Sequence, residues 1–479
     1  MKKFYITTTL PYVNASLHIG HSLEFVFADI IARFKRQQGY DVIFNTGTDE
    51  HGLKIYRTAI SQNKNPQEYV DEQAEKFKKL IKDLNLSVTN FIRTTDQFHI
   101  ESAKYFWNLC KKNGDIYKGI YKAKYCVGCE MEKTDSELEN NKCPLHPNLE
   151  LEIFEEENYF FRFSKYQNNL LKLYENQDFI LPLARLNEIK NFVSGGLQDF
   201  SISRLKSKMP WGIDVPDDND HVMYVWFDAL INYISTLGWP NDLKKFNDFW
   251  PGIQIAGKDN LRQQSAIWQA MLLSAGLLPS QQIIIHGFIT IDGQKISKTI
   301  GNVIYPEDII KKYSNDALRF WFASEIGIFD DGDFSLEKFD EVYNAKLVNG
   351  LGNFYSRVLA LAEKIGDFNF NENIFNDFRF KIDQAKQLIY QKMENYLFKE
   401  ALSEIWSLIA FGDLFIDKTE PWKDFNKDNI YNLIVLLDNI GYLIYPFMPE
   451  TSEIIQKSIL IENNIMKAKR QKILFPKVK

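Results

Sequence analysis

The chain has 479 residues, 45% apolar and 14% aromatic, enough to bury several cores and to form three or four domains at roughly 100–200 residues each. A formal charge of -6 excludes a generally basic nucleic-acid coat, so any contact with nucleic acid has to come from local Lys/Arg clusters. No apolar run approaches the ~20 residues of a membrane span, the N-terminus lacks a signal-peptide pattern, and 4 cysteines are too few for a disulfide framework; a cytoplasmic protein with a metal site is expected.

In chain order, "FYITTTL" is β-branched and aromatic and predicts a buried strand, followed by the loop "PYVNAS", which offers Asn14 or Ser16 as a helix N-cap. A helix starts near Leu17, with Leu23, Phe27, Ile30, Ile31 and Phe34 on one face, and Gly39 closes it before a second strand, "YDVIFNTGTD". Strand, helix, strand is a parallel α/β unit, whose ligands sit at the carboxyl ends of strands, where helix N-termini present free N–H groups to phosphates. His18 and His21 are one turn apart and both can face that position, while Gly20 permits close approach of a nucleotide to the backbone. By itself H-x-G-H is also compatible with two surface histidines.

Further along, Cys126, Cys129, Cys143 and His146 form C-x2-C, a gap, then C-x2-H. Two short pairs around a loop build a tetrahedral zinc knuckle, and four protein ligands make it structural, because catalysis needs an open position. Cys110 lies on an apolar-patterned helix and belongs to a core. Next, "IIIHGFITIDGQKISKTIGN" gives a strand, a Gly-bearing turn, and Lys295 and Lys298 three residues apart. Two mobile ammonium groups suit a departing pyrophosphate, because they can close on growing charge; a solvated lysine pair is the other reading. From about Asn344 long helical patterns take over, so the chain ends in a helical bundle.

"HIGH" and "KISKT" in this order resemble the paired motifs of the class I aminoacyl-tRNA synthetases, the second departing from KMSKS at two of five positions. "TLPYVNASLHIGH", "GTDEHG", "CVGC" with "CPLH", "SISRLKSKMPWGIDVP", "YVWFDALINY", "AGKD" and "NGLGNFYSRV" extend the resemblance to the methionyl-tRNA synthetases over essentially the whole chain. The resemblance implies an α/β fold: a Rossmann-like parallel-sheet catalytic domain split by a zinc-binding insert and followed by an all-α helical bundle. The implied boundaries are 1–115 and 216–292 for the two catalytic halves, 116–215 for the insert, 293–343 for the KISKT loop and stem-contact region, and 344–479 for the anticodon-binding bundle.

By the same resemblance His18, His21, Lys295 and Lys298 are catalytic, and ATP is held by His18, Gly20, His21, Gly257, Asp259, Lys295, Ser297 and Lys298. A thioether side chain needs aromatic walls and few polar atoms. Leu10, Tyr12, Trp226, Ala229, Tyr233 and Gln264 supply that pocket by resemblance, with Asp49 on the substrate ammonium and Arg204 on the carboxylate or the closed site. Gln264 departs from the family, which usually carries histidine there, and Gln still offers hydrogen bonds. Asn353, Arg357 and Trp422 read the anticodon, base stacking and Arg contacts being ordinary chemistry for single-stranded RNA.

The implied function is ATP-dependent activation of L-methionine to methionyl-adenylate and transfer to initiator and elongator tRNA(Met), with Mg2+ and a structural Zn2+. Homocysteine is the hardest competitor, since one methylene in an apolar pocket discriminates by only ~1–3 kcal/mol. The chain ends soon after the bundle, so a monomer is expected. A leucine, isoleucine or valine enzyme would need a large editing domain, a small-molecule nucleotidyltransferase would need neither insert nor bundle, and an RNA-binding paralogue would have lost the histidines or lysines.

Overall fold

The computed structural model describes residues 1–13, 17–126, 131–133, 138–144, 146–296, 301–369 and 374–478, with backbone alone at 123, 125, 126, 131–133 and 154. Asn14, Ser16, Cys129, Ser297 and Lys298 lie outside them, as does the Cys126 side chain.

The apolar runs become strands buried on both faces, as a parallel sheet covered by helices requires. Lys3–Thr7, Asp41–Thr48 and Asn90–Arg93 lie side by side, Ile253–Gly257 pairs with the opposite edge of Lys3–Thr7, and Gln282–His286 and Ile180–Leu181 complete six parallel strands. The strand order therefore reverses between Lys3–Thr7 and Ile253–Gly257. At such a switch point the connections leave in opposite directions and open a crevice beyond the carboxyl ends. The first strand stops at Thr7 rather than running to Leu10, which frees Thr9 and Leu10 for the crevice rim.

The Ile19–Gln37 helix packs against this sheet and starts at the crevice. Gly39 follows its C-cap at φ +81°, a left-handed conformation that glycine adopts without strain. Between the two halves of the sheet, Ile116–Cys126 and Glu152–Phe161 form a long antiparallel ribbon flanked by Met131–Lys133 and Phe200–Ser201. Ile180–Leu181, within the same stretch of chain, returns to the edge of the main sheet. After Gln282–His286, the Ile289–Ile291 strand turns back on Gln294–Lys295 and lies parallel to Gly332–Phe334.

The C-terminal part contains helices Asn353–Ile365, Asn376–Glu394, Phe398–Thr419, Lys427–Leu443 and Pro449–Ser458. The long periodic run from "FRFK" to "KTEPW" is two helices, broken at Tyr396, whose φ of +61° no helix accommodates. The all-α expectation needs an addition: Phe368–Asn369, Ile459–Glu462 and Ile465–Ala468 form a small antiparallel sheet. Asn463 and Asn464, at φ +51° and +62°, make its two-residue hairpin turn, a conformation asparagine tolerates.

One hydrophobic core runs from the first helix into the bundle, with the Phe27 and Phe398 rings 5.6 Å apart. Within it, fully buried Arg319 bonds to Asp29 of the first helix at 2.7 Å and donates to the Pro446 and Phe447 carbonyls. Burial opposes the Asp29 charge, but Arg319 and Arg33 outweigh it and hold the carboxyl below its usual range.

Candidate active site

The crevice is a cavity of about 1030 Å³ at the strand switch point. One end is built by the start of the first helix. His18 occupies the N-cap, where its Nδ1 accepts from Gly20 N–H at 3.2 Å, and His21 Nδ1 accepts from His18 N–H at 3.3 Å. This reciprocal cap is the role expected of Asn14 or Ser16, and His18 fills it because an imidazole nitrogen accepts as a hydroxyl or amide oxygen does. With Nδ1 accepting, each neutral ring carries its proton on Nε2. Burial, reinforced by neighbouring His18, pushes His21 down to about 3, so it works near neutral pH as an uncharged donor. A Cβ on Gly20 would stand 3.1 Å from the His18 ring and 3.3 Å from Ile289, so only glycine leaves both undisturbed.

Gly257 ends its strand at the cavity wall, followed by Asp259 in the Lys258–Asn260 turn. A Cβ on Gly257 would meet Asp259 Oδ1 at 2.7 Å. Lys295 reaches the rim from the Gln294–Lys295 strand and is exposed.

The opposite end is walled by Leu10, Tyr12, Trp226, Ala229, Tyr233 and Gln264. Trp226 and Ala229 sit on the short Val225–Ala229 helix and Tyr233 on Asn232–Ser235, so the expected helical spacing is divided between two helices that still face one space. Gln264 lies on a widened π turn, Gln263–Ile267, and donates from Nε2 to the Tyr233 hydroxyl oxygen at 2.7 Å. Between the ends stands Asp49, held by backbone pairing with Pro11 and Val13. It is buried, and its Oδ1 has no hydrogen-bond partner among the described residues. Burial, then the charges of Asp228 and Glu50, raises its pKa well above the ordinary carboxylate value. An unpartnered buried carboxylate oxygen facing a cavity is stabilised by a ligand cation.

This arrangement matches known proteins. The family model described as "tRNA synthetases class I (M)" matches residues 4–152 and 132–359. The chain is 41% identical to the methionine–tRNA ligase of Thermotoga maritima, over 96% of this chain and 76% of that protein. The chain belongs to the methionyl-tRNA synthetases. The methionine–tRNA ligase of Synechocystis is 42% identical, over 94% of this chain and 88% of its own. The solved Mycobacterium tuberculosis methionyl-tRNA synthetase in complex with methionyl-adenylate superposes with a TM-score of 0.88 at 34% identity, covering 96% of this chain and 94% of that one.

In this methionyl-tRNA synthetase Arg204, Asn353, Arg357 and Trp422 do not line the cavity. Arg204 stacks over Tyr224, which lines the cavity, at 4.4 Å and over Tyr121 of the insert at 4.9 Å, so it bridges the two. Asn353 and half-exposed Trp422 are on the bundle surface. Arg357 is engaged there in ion pairs with Asp413 and Asp417 at 2.8 and 2.7 Å.

Among the described residues no group of three or more metal-ligating side chains occurs, Cys129 and the Cys126 side chain being outside them. Cys143 Sγ and His146 Nδ1 are 3.9 Å apart. Two ligands of one tetrahedral zinc stand about 3.6 Å apart, so this pair fits the ion. The Cys126 backbone pairs with Met131 at the end of the ribbon.

The sequence reading missed Thr9, Glu24 and His286, all in the cavity wall. Glu24 Oε1 accepts from the Thr9 N–H and hydroxyl, both at 2.7 Å, and Glu24 Oε2 lies 3.0 Å from His286 Nε2. Burial works against a charged His286, but Glu24 outweighs it and raises the pKa. Glu24 follows His21 by three residues, so helical spacing offered a signal; for His286 the only signal was its place at the end of a strand. The reading also passed over Asp228, whose carboxylate oxygens accept from His51 Nδ1 at 2.6 Å and His99 Nε2 at 2.9 Å beneath Asp49.

Proposed function

We infer that this synthetase is a methionine–tRNA ligase, activating L-methionine with ATP as methionyl-adenylate and transferring the methionyl group to the 3′ end of tRNA(Met). The observation that carries the reading is the unpartnered, buried Asp49 oxygen in one cavity with His18 and His21 on one side and an aromatic pocket on the other. An α-amino acid laid across it places its ammonium on Asp49, its apolar side chain among Leu10, Tyr12, Trp226, Ala229, Tyr233 and Gln264, and its carboxylate toward the histidines.

The carboxylate attacks the α-phosphorus of Mg-ATP, forming a C–O–P bond as the bond to pyrophosphate breaks. The magnesium enters with the substrate and offsets phosphate charge. The protein positions and stabilises charge: His18 and His21 donate from Nε2 to phosphate oxygens, Gly20 and Gly257 admit the nucleotide, Asp259 takes a ribose hydroxyl, and Lys295, Ser297 and Lys298 hold the departing pyrophosphate. The terminal ribose hydroxyl of tRNA then attacks the acyl carbon and releases AMP. Arg204 aids the carboxylate or the closed site.

The domain division at 115, 215, 292 and 343 follows from these roles, with Asn353, Arg357 and Trp422 reading the anticodon of initiator and elongator tRNA for translation in the cytoplasm by a monomer. Cys126, Cys129, Cys143 and His146 hold a structural Zn2+, which when bound ties the loop of the insert together. ATP–pyrophosphate exchange with each standard amino acid and homocysteine tests the reading. Methionine is expected to drive exchange best, and a better response to any other amino acid overturns the assignment.

A further inference from the structure

Behind the cavity wall lies a chain of buried amides and hydroxyls that the catalytic roles do not use. Gln254 on the Ile253–Gly257 strand, Gln269 on the Trp268–Ser274 helix and Ser280 before the next strand are each at most 5% exposed, and none lines the cavity. Its hydrogen-bond directions are dictated from one end. Gln269 Oε1 accepts from the Ser280 backbone N–H at 3.0 Å, and Gln269 Nε2 donates to the Gln264 backbone carbonyl at 2.8 Å. A backbone N–H only donates and a carbonyl only accepts, so the orientation of this amide is fixed.

Every later link follows. Gln269 Nε2 also donates to Ser280 Oγ at 3.1 Å, so the Ser280 proton goes onward to Gln254 Oε1 at 2.5 Å. That leaves Gln254 Nε2 to donate to Gln264 Oε1 at 3.2 Å, and Gln264 Nε2 to donate to the Tyr233 oxygen at 2.7 Å. With its oxygen accepting, Tyr233 has its own proton left to give, and Tyr233 lines the cavity.

We propose that Gln269, Ser280 and Gln254 form a one-way hydrogen-bond relay that obliges the Tyr233 hydroxyl to donate into the cavity, so that the side-chain subsite selects an amino acid with an acceptor sulfur over its methylene isostere. The proposal rests on the reading that a methionine side chain occupies this end of the cavity. Gln254, Gln269 and Ser280 are positioning residues, acting through Gln264 and Tyr233. Without the Gln254 amide, the Gln264 side chain is released to flip, its Oε1 then accepts the Tyr233 proton, and the sulfur meets a lone pair in place of a donor. A thioether is a weak acceptor, so the preference set this way is modest.

The test is ATP–pyrophosphate exchange by the full chain with methionine and with norleucine, in which a methylene replaces the sulfur. In Gln254→Met the methionine-to-norleucine ratio of kcat/KM is expected to fall roughly three- to tenfold, the scale of one hydrogen bond. The fall comes through the methionine KM, while the norleucine constants and the ATP KM hold. Ser280→Ala is expected to give a smaller loss in the same direction, and Ser280→Thr, which keeps the hydroxyl, to restore the ratio; these two carry the test if Gln254→Met does not fold. A parallel fall for both amino acids, or an unchanged ratio, overturns the relay and leaves methionine activation standing. Exchange by the parent chain driven best by an amino acid without sulfur overturns both.

Discussion

At the histidine end of the cavity, proposed to take the phosphates, His18, Gly20 and His21 come from one helical turn, and each histidine is oriented by backbone groups within three residues of itself. At the aromatic end, proposed to take the thioether, Tyr233 and Gln264 belong to separate segments, and the tyrosine is oriented through three further side chains from a strand, a helix and a loop. Local geometry suffices where the ligand is a highly charged phosphate group, because any well-aimed donor is favourable there. Reading one sulfur against a methylene needs a donor whose direction is over-determined, and only a packed network supplies that.

The largest effect separating the two ends is expected from His21→Asn. Removing a donor aimed at developing charge lowers the adenylation rate on the order of 10²–10³-fold, with the methionine dissociation constant held; rapid-quench measurement of pyrophosphate release, with calorimetric titration of methionine, checks both halves. Asp49→Asn, between the ends, is expected to act on methionine alone, reducing kcat/KM by about 2–5 kcal/mol without changing ATP affinity, since the substrate ammonium is left without a buried counter-charge. Its signature includes stability. Because the folded pKa of Asp49 is raised above the ordinary value of 3.8, the native state binds the extra proton, and this acid loses stability for the fold as pH rises from 3.8 through the raised value. Asp49→Asn is therefore expected to raise Tm at pH 7 while lowering activity, a combination that differential scanning calorimetry and exchange assays read together.

A pH profile sharpens the comparison further. Methionine kcat/KM is expected to fall as pH drops through the raised pKa of Asp49, because the protonated acid cannot pair with an ammonium, and Asp49→Asn removes that limb. His21, already down at about 3, adds no limb above pH 5. The smallest effect is expected from Gln264→His, within a few-fold of the parent at pH 8. This variant gains a decline near the ordinary imidazole pKa of about 6.5 in addition to any limb of the parent, because a protonated ring no longer accepts from Gln254.

Much of this was legible before the fold was known, and the particular residues show why. H-x-G-H carries its own helix start, since His18 caps the turn that His21 belongs to, so its meaning travels with four consecutive letters. The C-x2-H pair is short enough that turn geometry brings its two side chains together, with Cys143 and His146 3.9 Å apart. The break at Tyr396 was not legible, because periodicity continues unbroken across a residue whose backbone has left the helix. Glu24 was hidden among the apolar residues of its own helix and His286 at the end of an isoleucine run, although the pair lies 3.0 Å apart at a separation of 262 positions in the sequence.

What the sequence by itself determined is the chemistry available at each short motif: two imidazoles on a helix start, two lysines three residues apart, a carboxylate ending a strand, three cysteines and a histidine in two short pairs. Each depends on neighbours within a few residues, and backbone geometry at that range is set locally. Only the tertiary structure decided which of those groups meet. The reversal of strand order between Lys3–Thr7 and Ile253–Gly257 opens the crevice, burial of Asp49 beside Asp228 sets its proton affinity, and Gln269 fixed by two backbone groups sets the direction of a tyrosine proton four links away. Hydrogen-bond direction and desolvation depend on every group packed around an atom, and those groups come from segments that sequence order keeps apart.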